Sequence, residues 1–88
     1  MYYVYILQSN KHRRYYIGHT EQIDERLKTH NSGRVKSTKN GIPWSLIYTE
    51  VCESKSLACR REIQIKRYKG GILFKKLIGL WKNYGEVA

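Results

Sequence analysis

Two short segments near the start of the sequence decide the fold: YYVYIL, residues 2–7, and RYYIG, residues 14–18. Both are rich in β-branched and aromatic residues, which suit the half-buried surface of a sheet. The polar residues Ser9–His12 between them are typical of a turn. The pair therefore predicts a β-hairpin, in which alternation places Tyr3 and Tyr5 on the same face of the first strand.

After the hairpin, the spacing of apolar residues becomes helical. Ile23, Leu27 and His30 lie at positions i, i+4 and i+7, which predicts a helix over about Gln22–Ser32. Gly33 follows this segment, and a glycine is common just beyond the last turn of a helix. We therefore expect the first helix to end there.

The rest of the chain predicts one more strand and two more helices. These are a strand over Trp44–Val51, a helix over about Leu57–Tyr68 and a helix over Ile72–Trp81. Ser54 or Ser56 is expected to cap the second helix, because a serine hydroxyl can accept a free backbone N–H of the first turn. Val35–Pro43 forms a basic, polar loop before the third strand.

These elements predict an α+β domain within the broad α/β class, in the order β-β-α-β-α-α. The expected architecture is a small three-stranded, mainly antiparallel sheet flanked by helices. A chain of 88 residues is enough for one domain, which we place at residues 1–82 with a short C-terminal tail, residues 83–88.

The charge of the chain indicates a polyanionic partner. There are 17 Lys and Arg residues against 7 Asp and Glu residues, a formal net charge of +10. Nucleic acid is the leading partner, since such a charge attracts polyanions. An anionic membrane surface is the weaker alternative, because the apolar face of the third helix is only as wide as packing requires. No membrane span is expected, and Cys52 and Cys59 are interpreted as reduced thiols of a cytoplasmic protein.

Glu62 is an isolated acid in a basic segment. Between Ser54 and Gly85 it is the one carboxylate among nine Lys and Arg residues, and it shares a helix face with Ala58 and Ile65. One interpretation is an ion pair with Lys66 at i+4. The other is a ligand for a hard divalent metal such as Mg²⁺, which takes few carboxylates together with water and phosphate.

Arg26 and His30 are neighbours on the first predicted helix, four residues apart. An arginine can hold a phosphate through two hydrogen bonds, and an adjacent histidine can donate a hydrogen bond or move a proton. The alternative is the edge of an amphipathic helix, with the arginine extended to water and the histidine partly buried.

Taken in order, these motifs resemble the GIY-YIG nuclease domain over about residues 1–80. The resemblance rests on Tyr3-Val4-Tyr5, Tyr16-Ile17-Gly18, Arg26, His30 and Glu62. It is closest to small stand-alone bacterial members related to the nuclease domain of the excision-repair endonuclease. The segments IPWSLIY, residues 42–48, and ACRREIQIK, residues 58–66, look like that subgroup.

The resemblance implies a set of catalytic residues: Tyr5, Tyr16, Arg26, His30 and Glu62. It also implies that Glu62 binds Mg²⁺ (or Mn²⁺). The first motif departs from the family name, because Tyr3 and Val4 stand where Gly and Ile would. Many members use an asparagine after the glutamate helix, where this chain offers Asn83. His12 and His19 are expected to be surface groups.

The function predicted in this way is a divalent-metal-dependent endonuclease that acts on structured or damaged DNA in repair or recombination. Two alternatives remain open: a nucleic-acid-binding module of the same fold with weak or lost catalysis, and a basic protein of membrane surfaces or ribosomes. RNA is not excluded as a substrate. The predicted backbone contacts are Arg34, Lys36, Lys39, Arg60 and Arg61. No recognition module is visible, so a larger protein partner could supply targeting.

Overall fold

The computed structural model describes the backbone of residues 1–87 and the side chains of residues 1–79. The strands are β1 (Tyr2–Ser9), β2 (Tyr15–Thr20) and β3 (Trp44–Cys52), and the helices are α1 (Ile23–Asn31), α2 (Lys55–Arg67) and α3 (Ile72–Val87). A 3₁₀ turn, Lys39–Gly41, precedes β3. The predicted order β-β-α-β-α-α and the α+β class are confirmed.

The three strands form one antiparallel sheet in the order β2-β1-β3. The predicted hairpin of β1 and β2 is present, and β3 pairs with the other side of β1. Because β1 is the central strand, its residues meet partners on both sides: Tyr5 lies opposite Gly18 of β2 and Thr49 of β3.

Both faces of β1 are buried, each in its own apolar cluster. Val4 and Ile6 pack in a cluster with residues of α2 and α3, including Ile65. Tyr5 and Leu7 point to the opposite face and pack in a second cluster with Trp44 and residues of α1. The helices therefore cover the sheet on two sides, and a pattern of unbroken apolar residues in β1 follows from this arrangement.

The ends of the helices agree with most of the predicted signals. Ser54, rather than Ser56, caps α2, because its hydroxyl accepts a hydrogen bond from the backbone N–H of Leu57 at 3.2 Å. Gly33 follows α1 with φ of +83°, as expected for a residue just past a helix end.

The third helix is longer than predicted. It continues beyond Trp81 to Val87 and so includes most of the residues predicted to form a tail, 83–88. The side chain of Asn83 lies outside the described residues, so its predicted role stays a prediction. Within residues 1–87, no helix has the length and apolarity needed to cross a bilayer.

Removing the Ser54 cap is expected to destabilise the fold. Ser54→Ala should lower the free energy of unfolding by about 1 kcal/mol, because one N–H at the start of α2 loses its acceptor. Ser56→Ala is the control, since Ser56 is exposed and its substitution should change stability by less than about 0.5 kcal/mol. Urea unfolding measures both, and equal losses would contradict the cap.

Candidate active site

The phenol of Tyr5 is the centre of a buried hydrogen-bonded group. Its Oη lies 3.1 Å from Nε2 of His30 and accepts a hydrogen bond from Nε of Arg26 at 3.4 Å. Tyr5 is 2% exposed and His30 is 0% exposed. β1 supplies the phenol and α1 supplies both partners, since Arg26 and His30 lie one helical turn apart.

Tyr16 of β2 completes the group from the other side. Its ring centroid lies 4.6 Å from that of His30 and 6.2 Å from that of Tyr5. Four of the five predicted catalytic residues are thus in contact or adjacent. His30 is fully buried rather than at a partly buried helix edge, and Arg26 is half-buried beside the phenol rather than extended to water.

Gly18 makes room for Tyr5. The two residues face each other across the β1–β2 ladder, and a Cβ at position 18 would stand 2.6 Å from Oη and 2.8 Å from Cζ of Tyr5. No real Cβ comes so close to these atoms. A glycine is therefore required for the ring of Tyr5 to lie across β2, which gives the glycine of the second motif a steric explanation.

The protonation states of the group follow from its burial. Burial raises the pKa of Tyr5, and the hydrogen bond from Arg26 opposes that effect without cancelling it. Burial, followed by the positive charge of Arg26, lowers the pKa of His30. At neutral pH the structure therefore holds a neutral phenol against a neutral imidazole.

Glu62 lies on α2 and has two cationic or polar partners. Oε1 is 2.5 Å from Nδ1 of His19, and Oε2 accepts a hydrogen bond from Nζ of Lys66 at 2.6 Å. The ion pair with Lys66 is therefore present, but it is not the whole environment of the carboxylate. Burial acts to raise the pKa of Glu62, but the bonds from Lys66 and His19 outweigh it and lower the pKa.

Glu62 adjoins the tyrosine group without a direct hydrogen bond to it among the described side chains. Its negative charge acts to raise the pKa of Tyr5, so the two groups share one electrostatic environment. His19 and Tyr16 are three residues apart on β2 and point to opposite faces of the strand. Glu62 therefore approaches from the α2 side of the β2 edge.

His19 is the residue that the sequence interpretation missed. Instead of being a surface group, it has a side chain that is only 23% exposed and contacts Glu62. The signal available in the sequence was its place directly after Gly18. That signal was too weak, because the contact joins residues 43 positions apart.

The predicted nucleic-acid contacts separate into two groups. Arg34, Lys36 and Lys39 are exposed in the loop after α1, and Arg60 is exposed on α2. Arg61 differs: it forms an ion pair with Glu50 of β3 at 2.8 Å. Burial acts to lower the pKa of Arg61, but its bonds to Glu50 and Tyr68 prevail and raise it. Arg61 therefore ties α2 to β3, and its predicted contact with a phosphate would compete with that ion pair.

The comparisons with known proteins identify the class of this fold. The family model described as the GIY-YIG catalytic domain matches residues 1–73, and the chain belongs to this family. The GIY-YIG domain is a nuclease fold, and the relatives of this chain called UPF0213 proteins are small stand-alone proteins of this type. The resemblance inferred from the motifs is thereby confirmed.

Individual relatives extend from bacteria to an archaeon. A UPF0213 protein of Staphylococcus haemolyticus is 43% identical over 67 residues, covering 75% of this chain and 80% of the relative. A UPF0213 protein of Halobacterium salinarum is 38% identical over 68 residues, covering 76% and 87%. The solution NMR structure of a UPF0213 protein from Bacillus halodurans is similar with a TM-score of 0.57 and 33% identity, covering 100% of this chain and 98% of that one.

A methyl group at position 18 should disturb the site. Gly18→Ala is expected to cost roughly 1–3 kcal/mol of unfolding free energy, because Tyr5 and Tyr16 must move from the added Cβ. Gly79→Ala is the control: a Cβ there meets nothing within 4 Å. Because Gly79 lies within α3, alanine there should stabilise the fold by about 0.5–1 kcal/mol. Denaturant unfolding distinguishes the two signs, and a neutral Gly18→Ala would contradict the packing.

The buried His30 should make stability depend on pH. Since burial lowers the pKa of His30, below about pH 6.5 the unfolded chain binds a proton that the folded chain does not. Its contribution is therefore complete above that pH and is lost as the pH falls. His30→Gln should flatten the pH dependence of unfolding free energy between about pH 7.5 and 5.5, by at most about 1.4 kcal/mol per pH unit. Exposed His12→Gln is the control, and an equal flattening there would argue against a special role of His30.

Proposed function

We propose that this protein is a divalent-metal-dependent endonuclease that hydrolyses phosphodiester bonds in DNA, with structured or damaged DNA as its substrate. The observation that carries the proposal is the buried group of Tyr5, His30 and Arg26 in a domain of the GIY-YIG family. Hydrolysis of a phosphodiester needs a proton acceptor for water, a positive charge at the phosphoryl oxygens and support for the leaving oxygen. Each of these has a candidate in this chain.

Tyr5 and His30 form the proton path. The phenolic oxygen of Tyr5 takes a proton from the attacking water while its own proton passes to Nε2 of His30, 3.1 Å away. A phenol with a raised pKa is a poor base by itself at neutral pH, so the neutral imidazole next to it is needed. Tyr16, stacked near both rings, limits the movement of the two groups.

Arg26 provides the fixed positive charge. Its Nε donates to the Tyr5 hydroxyl, and its guanidinium is close enough to both phenols for their hydrogen bonds to raise the pKa of Arg26, against the lowering effect of burial. A planar guanidinium next to the attacking oxygen is suited to stabilise negative charge on the phosphoryl oxygens. The same group keeps the Tyr5 oxygen oriented.

Glu62 is the candidate ligand for Mg²⁺ (or Mn²⁺). Among the described side chains, no group of three or more His, Cys, Asp or Glu residues is arranged to hold a metal. A single, ionised and partly accessible carboxylate nevertheless fits an ion that takes most of its ligands from water and phosphate. Such an ion would neutralise phosphate charge and assist the leaving oxygen. His19 orients Oε1, and Lys66, whose side chain is 53% exposed, is free to move from Oε2 to a phosphate.

The exposed basic residues support a backbone-tracking mode of binding. Arg34, Lys36 and Lys39 lie in the loop that follows α1, beside the buried His30, and Arg60 lies on the outer face of α2. Such residues contact phosphates without reading sequence, and the affinity should fall steeply with salt. A larger protein partner would then select the target, and the free cysteines Cys52 and Cys59 fit a cytoplasmic setting.

Nicking of supercoiled and branched DNA in Mg²⁺ or Mn²⁺ tests the proposal. Glu62→Gln and Arg26→Ala should each lower the rate by roughly 10²-fold or more, because each removes charge that acts on the reacting phosphate. The matched controls are Glu53→Gln and Arg67→Ala, which change exposed residues of the same charge and should cut at the rate of the unmodified protein.

Two results would overturn the assignment. If both site variants cut as fast as the controls, the activity belongs to a contaminant. If the unmodified protein binds DNA with a steep salt dependence and does not cut it, the protein is the binding module of the same fold that the sequence left open.

A further inference from the structure

Thr38 is a buried hydroxyl in a loop of exposed basic residues. It is 1% exposed, whereas Lys36 and Lys39 on either side of it are exposed. Its Oγ1 lies 2.9 Å from Nδ1 of His30 and 3.4 Å from the carbonyl oxygen of Val35. Thr38 therefore contacts the imidazole nitrogen that faces away from Tyr5.

The backbone of Thr38 is held separately from its side chain. Nε1 of Trp44 donates to the carbonyl oxygen of Thr38 at 2.7 Å, and Trp44 is itself buried in the cluster that contains Tyr5. The backbone N–H of Thr38 donates to the carbonyl of Val35 at 3.1 Å. These bonds fix the position of the hydroxyl, so its distance to His30 does not depend on a mobile loop.

Counting protons decides between the two neutral tautomers of His30. With the proton on Nδ1, this N–H donates to Thr38, Thr38 donates to Val35, and the Tyr5 hydroxyl donates to Nε2. With the proton on Nε2, Tyr5 accepts from both His30 and Arg26. Its own buried proton then has no acceptor among the described side chains, which is costly. The first arrangement satisfies every group.

We propose that Thr38 is a positioning residue, which holds His30 in the tautomer protonated on Nδ1 and leaves the lone pair of Nε2 directed at the Tyr5 hydroxyl. The proposal rests on the proposed function, because the free lone pair is what receives the proton of Tyr5. When Nε2 takes that proton, Nδ1–H keeps its bond to Thr38, so the charged ring does not need to rotate. The hydroxyl serves His30 before and after the transfer.

The first test observes the imidazole directly, without DNA. In the unmodified protein, nitrogen–proton NMR correlations at neutral pH should show a protonated Nδ1 and an unprotonated Nε2 for His30. Thr38→Val keeps the size of the side chain and removes the acceptor, so it should lower the pKa of His30 further, by about one unit. Thr38→Ser keeps the hydroxyl and should restore the original titration.

The second test follows nicking. Thr38→Val should reduce the rate by roughly 10-fold to 10²-fold, within the usual contribution of a general base, and Thr38→Ser should recover most of it. The other charged or titratable groups that face the His30 ring are Tyr5, Tyr16 and Arg26, and neither variant changes them. A shift in the His30 titration is therefore attributable to the hydroxyl.

Three results would overturn the proposal: a proton on Nε2 in the unmodified protein, an unchanged His30 titration in Thr38→Val, or a failure of Thr38→Ser to restore it. If the unmodified protein does not cut DNA, the proposed function fails, but the NMR measurements still decide whether Thr38 sets the tautomer. The two failures are thus distinguishable.

Discussion

The contact of the Tyr5 phenol with buried His30 is the constraint on which the structure of the site depends. It requires a glycine opposite the ring, because any larger residue at position 18 would occupy the same space. It also requires α1 to pack on that face of the sheet, since the helix brings Arg26 and His30 to the hydroxyl together. Motifs that lie apart in the sequence are therefore parts of one packing arrangement.

Local patterns predicted most of the fold, since strands, helices and caps depend on residues close in sequence. The hairpin, the order of elements, Ser54 as a cap and Gly33 as a stop all follow from such patterns. The length of α3 did not, because its stop signal was placed too early. That both faces of β1 are covered was visible only as an unbroken apolar segment, whose partners the sequence does not specify.

The site was predictable where one motif or one helix carries it. Arg26 and His30 are neighbours by helical spacing, and their convergence on Tyr5 was implied only by resemblance to a family. The bonds of His19 to Glu62 and of Arg61 to Glu50 join distant segments, so no periodicity revealed them. Thr38 looked like one more polar loop residue, because its burial depends on Trp44 and α1 rather than on its neighbours.

The alternation of β1 separates two duties within four consecutive residues. Val4 and Ile6 serve the cluster beneath α2 and α3, whereas Tyr5 and Leu7 serve the face with His30 and Trp44. Even-numbered positions can therefore be repacked to raise heat tolerance while the odd-numbered ones keep the chemistry intact. A laboratory seeking a hardier enzyme would find its adjustable residues directly beside those that must not change.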